Sequence, residues 1–306
     1  MKGIRFATDP KYRFNILAGR GFYDGVSDEK YLKRRFKIIM GKELDLENPQ
    51  TFNEKLQWLK LYDRKPEYTM MVDKYKVREH IAKVLNEKYL IPLLGVWKNP
   101  EEIDFDILPD KFVLKCNHNS GLGMCVCKEK DKLDKERTIK NLRTGLTENH
   151  YFLCREWAYK DVEPCVIAEK FMVDENLQQK GWQGLLDYKF YCFNGEPRFL
   201  YVGYANIKNN IKQDMLSFYD LNWKKAPFYR MDHQELPFEV ECPEKFEEMI
   251  DIAKKLSNGI PFVRVDLYYI NKRIYFSELT FCPGGGYGEF SPYEWEKQIG
   301  SWIQIG

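Results

Sequence analysis

The chain has 306 residues, 44% hydrophobic and 15% aromatic, which is enough for two or three subdomains with real cores. Its 48 basic and 46 acidic residues are interspersed and leave a net charge of +2, so no basic face for nucleic acid stands out, and no run approaches the roughly 20 apolar residues of a membrane span. The first residues, Met1 to Phe14, lack the apolar centre of a signal peptide, and the expected setting is cytoplasmic. The eight cysteines show no CxxC pair and no histidine partner, which reads as reduced, mostly buried thiols.

Residues 28–88 read as helical, with a capping box at Thr51 and Glu54 ahead of Leu56, Leu59 and Leu61. A second section begins near Val72 and alternates strands with helices: strands at 111–116 and 124–128, a helix within 134–159, and a strand at 165–172. Residues 173–184 are polar with two glycines and read as a loop. Strands follow at 185–193 and 197–205 about an Asn194-Gly195 turn, then at 215–220. Pro243 is expected at the first position of a helix carrying Phe246, Met249, Ile250, Ala253 and Leu256. Ser291, Pro292 and Glu294 open a last helix with Trp295, Ile299 and Trp302.

Chemistry concentrates in residues 262–286. Two β-branched and aromatic runs, Phe262 to Tyr269 and Arg273 to Phe281, flank an Asn-Lys turn and predict a hairpin. Alternation puts Arg264, Asp266 and Tyr268 on one face of the first strand, and Ile274, Phe276, Glu278 and Thr280 together on the second. A three-residue loop would set Asp266 opposite Glu278 and Arg264 opposite Thr280, whereas a two-residue loop would shift each pair to a diagonal. Directly opposed carboxylates repel. A divalent ion between them removes that cost, and two carboxylates with a neutral oxygen suit Mg²⁺. The Cys-Pro-Gly-Gly-Gly that follows lets the backbone approach another group closely.

Upstream motifs are individually ordinary. Lys115 ends an apolar strand before a loop holding Ser120, Gly121 and Gly123, a strand-loop-strand arrangement whose amides can cradle phosphate oxygens. Ala168 to Met172 ends an apolar strand with Glu169-Lys170 and returns to apolar residues, as adenine slots often do. Asp187, Lys189 and Tyr191 share a strand face from which Lys189 can reach a phosphate, while Tyr188, Phe190 and Cys192 face the core. The four histidines, His80, His118, His150 and His233, show no ligand spacing, which argues against a histidine metal site or a Ser-His-Asp triad.

Taken in order, VDK (72–74), FVLKCNHNSGLG (112–123), VIAEKFM (166–172), LDYKFYCFNG (186–195) and the 263–286 hairpin resemble the ATP-grasp superfamily. More narrowly, TFNEKLQWLKLYDR (51–64), DKYKVREHIAK (73–83), YLIPLLGVW (89–97) and FSELTF look like the TupA-like ATP-grasp family of teichuronopeptide and capsular polysaccharide synthesis. The resemblance implies an α+β fold in which two lobes, 72–172 and 173–306, sandwich ATP behind a short helical region, 1–71. It implies an ATP- and Mg²⁺-dependent ligase that phosphorylates a carboxylate acceptor and then joins it to an amine donor. It further implies that Lys74 and Lys115 hold phosphates beneath a lid of Ser120, Gly121 and Gly123. Glu169, Lys170 and Met172 would line the adenine site, with Asp187 near the ribose or just beyond it. Asp266, Glu278 and Thr280 fall on the metal positions, and Arg264 on the arginine that steadies the transferring phosphoryl group. Three departures are visible: Thr280 replaces the usual asparagine, Cys116 replaces a common proline after Lys115, and about 70 residues precede Val72 where many relatives have a larger α/β domain. Two other readings compete. A glycosyltransferase predicts a DxD-type motif, which Asp266-Leu-Tyr does not supply, and a non-catalytic carbohydrate-binding protein gives Arg264, Asp266 and Glu278 no common use.

Overall fold

The computed structural model of the chain describes residues 2–208 and 211–306. Six helices open it: α1 (Lys2–Thr8), α2 (Pro10–Gly19), α3 (Asp28–Met40), α4 (Phe52–Tyr62), α5 (Glu67–Val72) and α6 (Val77–Val84). Helix α4 starts where expected because Thr51 accepts from the Glu54 amide and Glu54 accepts from the Thr51 amide.

A four-stranded antiparallel sheet follows, ordered β1-β4-β2-β3, from β1 (Leu93–Trp97), β2 (Phe112–Cys116), β3 (Cys125–Cys127) and β4 (Val166–Lys170). Between β3 and β4 lie α7 (Lys135–Leu146) and α8 (His150–Cys154). Phe112, Leu114 and Cys116 of β2 point into a core closed by Leu142 of α7, which leaves Lys111, Val113 and Lys115 on the other face.

The larger sheet is antiparallel and ordered β10-β9-β5-β6-β7. It comprises β5 (Leu186–Phe193), β6 (Glu196–Lys208), β7 (Ile211–Asp220), β9 (Phe262–Ile270) and β10 (Arg273–Thr280). Within the nominal 173–184 loop sits α9 (Glu175–Gln179), capped by the Asp174 carboxylate. A short pair, β8 (Tyr229–Arg230) with β11 (Phe290–Ser291), and helices α10 (Phe246–Ser257) and α11 (Glu294–Ser301) complete the fold. Helix α10 begins three residues later than expected, because Pro243 forms a preceding turn whose carbonyl accepts from Phe246 N at 3.0 Å.

The two faces of this sheet are used differently. One face, with Phe190, Leu200, Val263 and Val265, packs on α10 and also receives Val77 and Ile81 of α6. The other is aromatic at one end, where Tyr191, Phe193, Phe199 and Phe262 meet Phe52 and Leu56 of α4 and Ile299 of α11. At its opposite end the same strands present Asp187, Lys189, Arg264 and Asp266.

The predicted hairpin forms, with a correction in its register. Its loop has two residues, Asn271 and Lys272, with φ of 49° and 63°, the left-handed pair of a tight hairpin turn. A diagonal pairing would result, but Ser277 is an extra residue: Phe276 pairs Leu267 and Glu278 pairs Asp266. This bulge also reverses the faces. Ile274, Phe276 and Leu279 all enter the core, so Ile274 and Phe276 do not share the face of Glu278 and Thr280.

Glu296 ties these elements together. Its fully buried carboxylate accepts from Asn53 Nδ2 of α4 at 3.0 Å and from Phe290 N at 2.6 Å. Burial pushes its pKa up to about 7, from 4.5 for an ordinary glutamate, and the two N–H donors only partly oppose that. An acid raised on folding costs stability as pH climbs from the unfolded to the folded value. Between pH 4.5 and 7 this should remove up to about 3 kcal/mol. Glu296→Gln should therefore gain stability over wild type at pH 8 but not at pH 4, read by urea denaturation; an equal difference at both would contradict the assignment.

Candidate active site

A cleft of about 740 Å³ separates the two sheets. One wall is the outward face of β2 and β3, with Val113, Lys115, Met124 and Val126; the other carries Asp187, Tyr268 and Ser277. Met124 and Val126 are exposed there, an apolar surface that an aromatic ring could cover. Lys170, the last residue of β4, and Met172 just beyond it also line the cleft.

Beside Asp187 of the cleft wall the charged half of the large sheet gathers the hairpin residues. Asp266 is wholly buried, and its carboxylate accepts from Arg264 Nε at 2.7 Å, Arg264 Nη2 at 2.6 Å and Lys189 Nζ at 2.6 Å. Arg264 also donates to Thr280 Oγ1 at 3.0 Å and to the Tyr201 hydroxyl at 3.3 Å. Lys189 lies 3.6 Å from Asp187. Glu278 is held differently: Lys74 and Arg264 stand off at 3.6 and 3.5 Å, and its hydrogen bond comes from Thr280 at 3.4 Å.

Lys74 and the glycine loop reach this place together. The Lys74 amide donates to Asn117 O at 3.0 Å and its Nζ to Asn119 O at 2.9 Å. Asn119 in turn donates to Leu122 O and Gly145 O, and His118 bonds Glu148 O. Gly123 takes φ +80°, and a Cβ there would sit 2.6 Å from the Asn141 carbonyl, so only glycine fits. Ser120 and Gly121 are exposed at the loop tip. Lys115 is paired with Glu169 at 2.6 Å, and Arg78 braces the same carboxylate at 3.5 Å. Glu169 thus faces the strand-end lysine across the sheet, and Lys170 is exposed.

Charge sets the protonation states. Burial would raise Glu278, but Lys74, Lys189, Arg264 and Lys115 together bring it down to about 2, so it is ionised at any physiological pH. Asp187 moves the other way: burial raises it, Lys189 opposes, and Asp266 and Glu278 add to the rise. Lys189 and Arg264 stay charged although burial disfavours it, because Asp187 and Asp266 hold the lysine and Asp266 with Tyr201 the arginine.

These residues fit a divalent ion. Asp266 and Glu278 are directly paired across the strands, and Glu278 accepts no N–H among the described hydrogen bonds, leaving its lone pairs open. Asp266 accepts three N–H bonds and keeps about one lone pair. Thr280 spends its proton on Glu278 and one lone pair on Arg264.

Two sheets facing across a cleft, with a glycine loop on one and a carboxylate hairpin on the other, make the architecture that of an ATP-grasp fold, found in enzymes of the ligase type. The chain belongs to the TupA-like ATP-grasp family, whose model matches residues 54–304. Among solved structures it is similar to the D-alanine-D-alanine ligase of Helicobacter pylori, at 15% identity over 84% of this chain and 70% of that one, with a TM-score of 0.43. The Bacillus anthracis D-alanine-D-alanine ligase gives 15% identity, 89% and 83% coverage and 0.43. Phosphoribosylamine-glycine ligase of Thermotoga maritima gives 16%, 83% and 57%, and 0.43. No curated protein matches the chain in sequence. Among the described residues no helix is long and apolar enough to cross a membrane.

Several contributors escaped the sequence reading. Lys60 and Gln57 of α4 donate to Gly285 O and Gly286 O at 2.6 and 2.7 Å and fix the loop after the hairpin. Arg78 and Tyr201 are distant in sequence from the groups they brace and carry no motif. His150 and Cys154 do carry a signal, a one-turn helical spacing, and with Glu156 they form a cluster where no histidine partner was expected.

The Glu278 shift can be read directly. Carboxylate titration by ¹³C NMR should place Glu278 near 2, and Lys74→Met, which removes the cation that lowers it most, should raise it; a wild-type midpoint near 4.5 would contradict the described field.

Proposed function

We propose that the protein is an ATP-dependent carboxylate-amine ligase that forms an amide through an acyl phosphate. The carboxylate oxygen of one substrate attacks the γ-phosphorus of ATP and ADP leaves. The amine nitrogen of the second substrate then attacks the acyl carbon, phosphate leaves with the bonding pair, and the nitrogen loses a proton. From the family, the acid is read as a sugar acid and the amine as an amino acid or related amine, in capsular or cell-surface polysaccharide synthesis.

The observation that carries this reading is the paired Asp266 and Glu278 beside the cleft, ringed by Lys74, Lys189 and Arg264. Phosphoryl transfer asks for positioned cations and needs no covalent residue. In this assignment Lys74 and Lys115 hold phosphates under the 117–123 loop, where Ser120, Gly121 and Gly123 supply amides. Glu169, Lys170 and Met172 border the adenine and Asp187 the ribose. Arg264 and Lys189 steady the transferring phosphoryl group. Asp266 and Glu278, with Thr280 beside them, would hold Mg²⁺, which when bound neutralises phosphate charge and polarises the γ-phosphoryl. The lobes contributing these groups are 72–172 and 173–306.

The test is phosphate release from ATP and Mg²⁺ across a panel of uronic acids, free and nucleotide-linked, crossed with a panel of amino acids. Release should require one acid and one amine together. Asp266→Asn and Glu278→Gln should each lower it by about 100-fold or more, the scale of losing one strong electrostatic stabiliser. Full activity in either variant, or release independent of the amine, would remove the proposal.

A further inference from the structure

Behind the glycine loop, α8 ends in a second convergence of ligand-bearing side chains. The one-turn spacing of His150 and Cys154 sets both on one side of the helix. The next residue, Arg155, adopts a left-handed conformation at φ 54°, which few residues without glycine's freedom occupy. Its buried guanidinium is held there by Tyr23 O at 2.7 Å and Asp28 at 3.3 Å, and it lies 4.3 Å over the Tyr31 ring. That reversal swings Glu156 back onto His150, with Nε2 3.1 Å from its carboxylate oxygen. One ligand atom from each of His150, Cys154 and Glu156 lies within 4.8 Å of the others. A second carboxylate, Glu148, stands 3.7 Å from His150 Nδ1. That Nδ1 is buried and has no hydrogen-bond partner among the described residues, which a native interior rarely tolerates unless water or an ion completes it.

We infer that His150, Cys154 and Glu156, with Glu148 beside them, form a binding site for a Zn²⁺-class divalent metal, separate from the Asp266–Glu278 pair. Nitrogen, sulfur and carboxylate donors together select a borderline metal over Mg²⁺ or Ca²⁺, which take oxygen. Bond lengths near 2.0 to 2.3 Å set tetrahedral ligand atoms roughly 3.5 Å apart, so from separations within 4.8 Å the cluster contracts by at most about 1.3 Å. Partial exposure of His150 and Glu148 leaves a route in. The surroundings are ordered: the Tyr159 ring meets the imidazole edge-on at 5.0 Å, and Lys60 links Cys154 O at 3.0 Å to Gly285 O at 2.6 Å. A Cβ on Gly285 would lie 3.5 Å from Cys154 Sγ.

Cobalt is the probe. The full chain, purified through a chelator, is titrated with Co²⁺ and then with Zn²⁺ against a chromogenic chelator. One Co²⁺ per chain with a thiolate-to-cobalt charge-transfer band, displaced by Zn²⁺, is expected. Cys154→Ser should abolish the band and weaken Zn²⁺ by about 100-fold or more, and Glu156→Gln should weaken it while sparing the band. Cys242→Ser, at the exposed thiol, and Asp266→Asn should leave band and stoichiometry unchanged, which separates this site from the proposed Mg²⁺ pair. Absence of the band, or its survival in Cys154→Ser, would overturn the proposal and leave the cluster as a histidine-carboxylate ion pair.

Discussion

Everything in the hairpin site depends on the Asp266 carboxylate, which has no solvent contact. Removing a carboxylate from water costs several kcal/mol even after relaxation, so it persists only with partners of good geometry. Arg264 supplies two parallel N–H bonds from two residues away on the same strand face, and Lys189 supplies a third from the adjacent strand. The arrangement is reciprocal, since Asp266 helps to keep Lys189 and Arg264 charged at that depth, alongside Asp187 for the lysine. Glu278 opposite is treated otherwise, immersed in positive potential yet closely bonded by no cation. One carboxylate anchors the cations and the other remains available, which is what a site that receives a polyanion with its counter-ion requires.

The neighbouring aromatic packing makes that concentration of charge affordable in structural terms. Along β5 and β9 the same face runs from Phe193 and Phe262 to Lys189 and Asp266, so a single sheet surface is half core and half site. Helices α4 and α11 cover the aromatic half and stop there. From α4, Lys60 and Gln57 reach past the covered half to the Gly285 and Gly286 carbonyls. The amino-terminal helices are therefore part of the site's construction as well as a cover for the core. A Cβ at Gly286 would collide with the Gln57 amide, which explains glycine at this close approach.

Much of this was legible in the sequence, for reasons that differ by residue. Arg264 could be placed on one strand face with Asp266, and Asp187 on another with Lys189, because strand alternation is local, and the capping box at Thr51 is a contact three residues long. The opposition of Asp266 and Glu278 was anticipated from a three-residue loop, but it arises from a two-residue loop plus a bulge at Ser277. Both routes insert one residue, so the pairing agreed while the faces of Ile274 and Phe276 did not. A bulge depends on what both sides of the strand must face, here Leu279 in the core and Glu278 opposite Asp266, and local pattern does not report that. Likewise nothing local links Arg78 to Glu169 or Tyr201 to Arg264, which meet only when strands and helices pack. His150 and Cys154 were readable by spacing, but Glu156 joins them through a backbone reversal at a non-glycine residue.

The central claim is that Asp266 and Glu278 are paired to receive a metal-bound nucleotide. The most direct measurement is a crystal structure with Mn²⁺ and a non-hydrolysable ATP analogue, in which anomalous scattering locates the metal. The account predicts Mn²⁺ within bonding distance of Asp266 and Glu278, with the nucleotide between the β2–β3 wall and Asp187. Mn²⁺ bound away from that hairpin, or a nucleotide lodged outside the cleft, would contradict it.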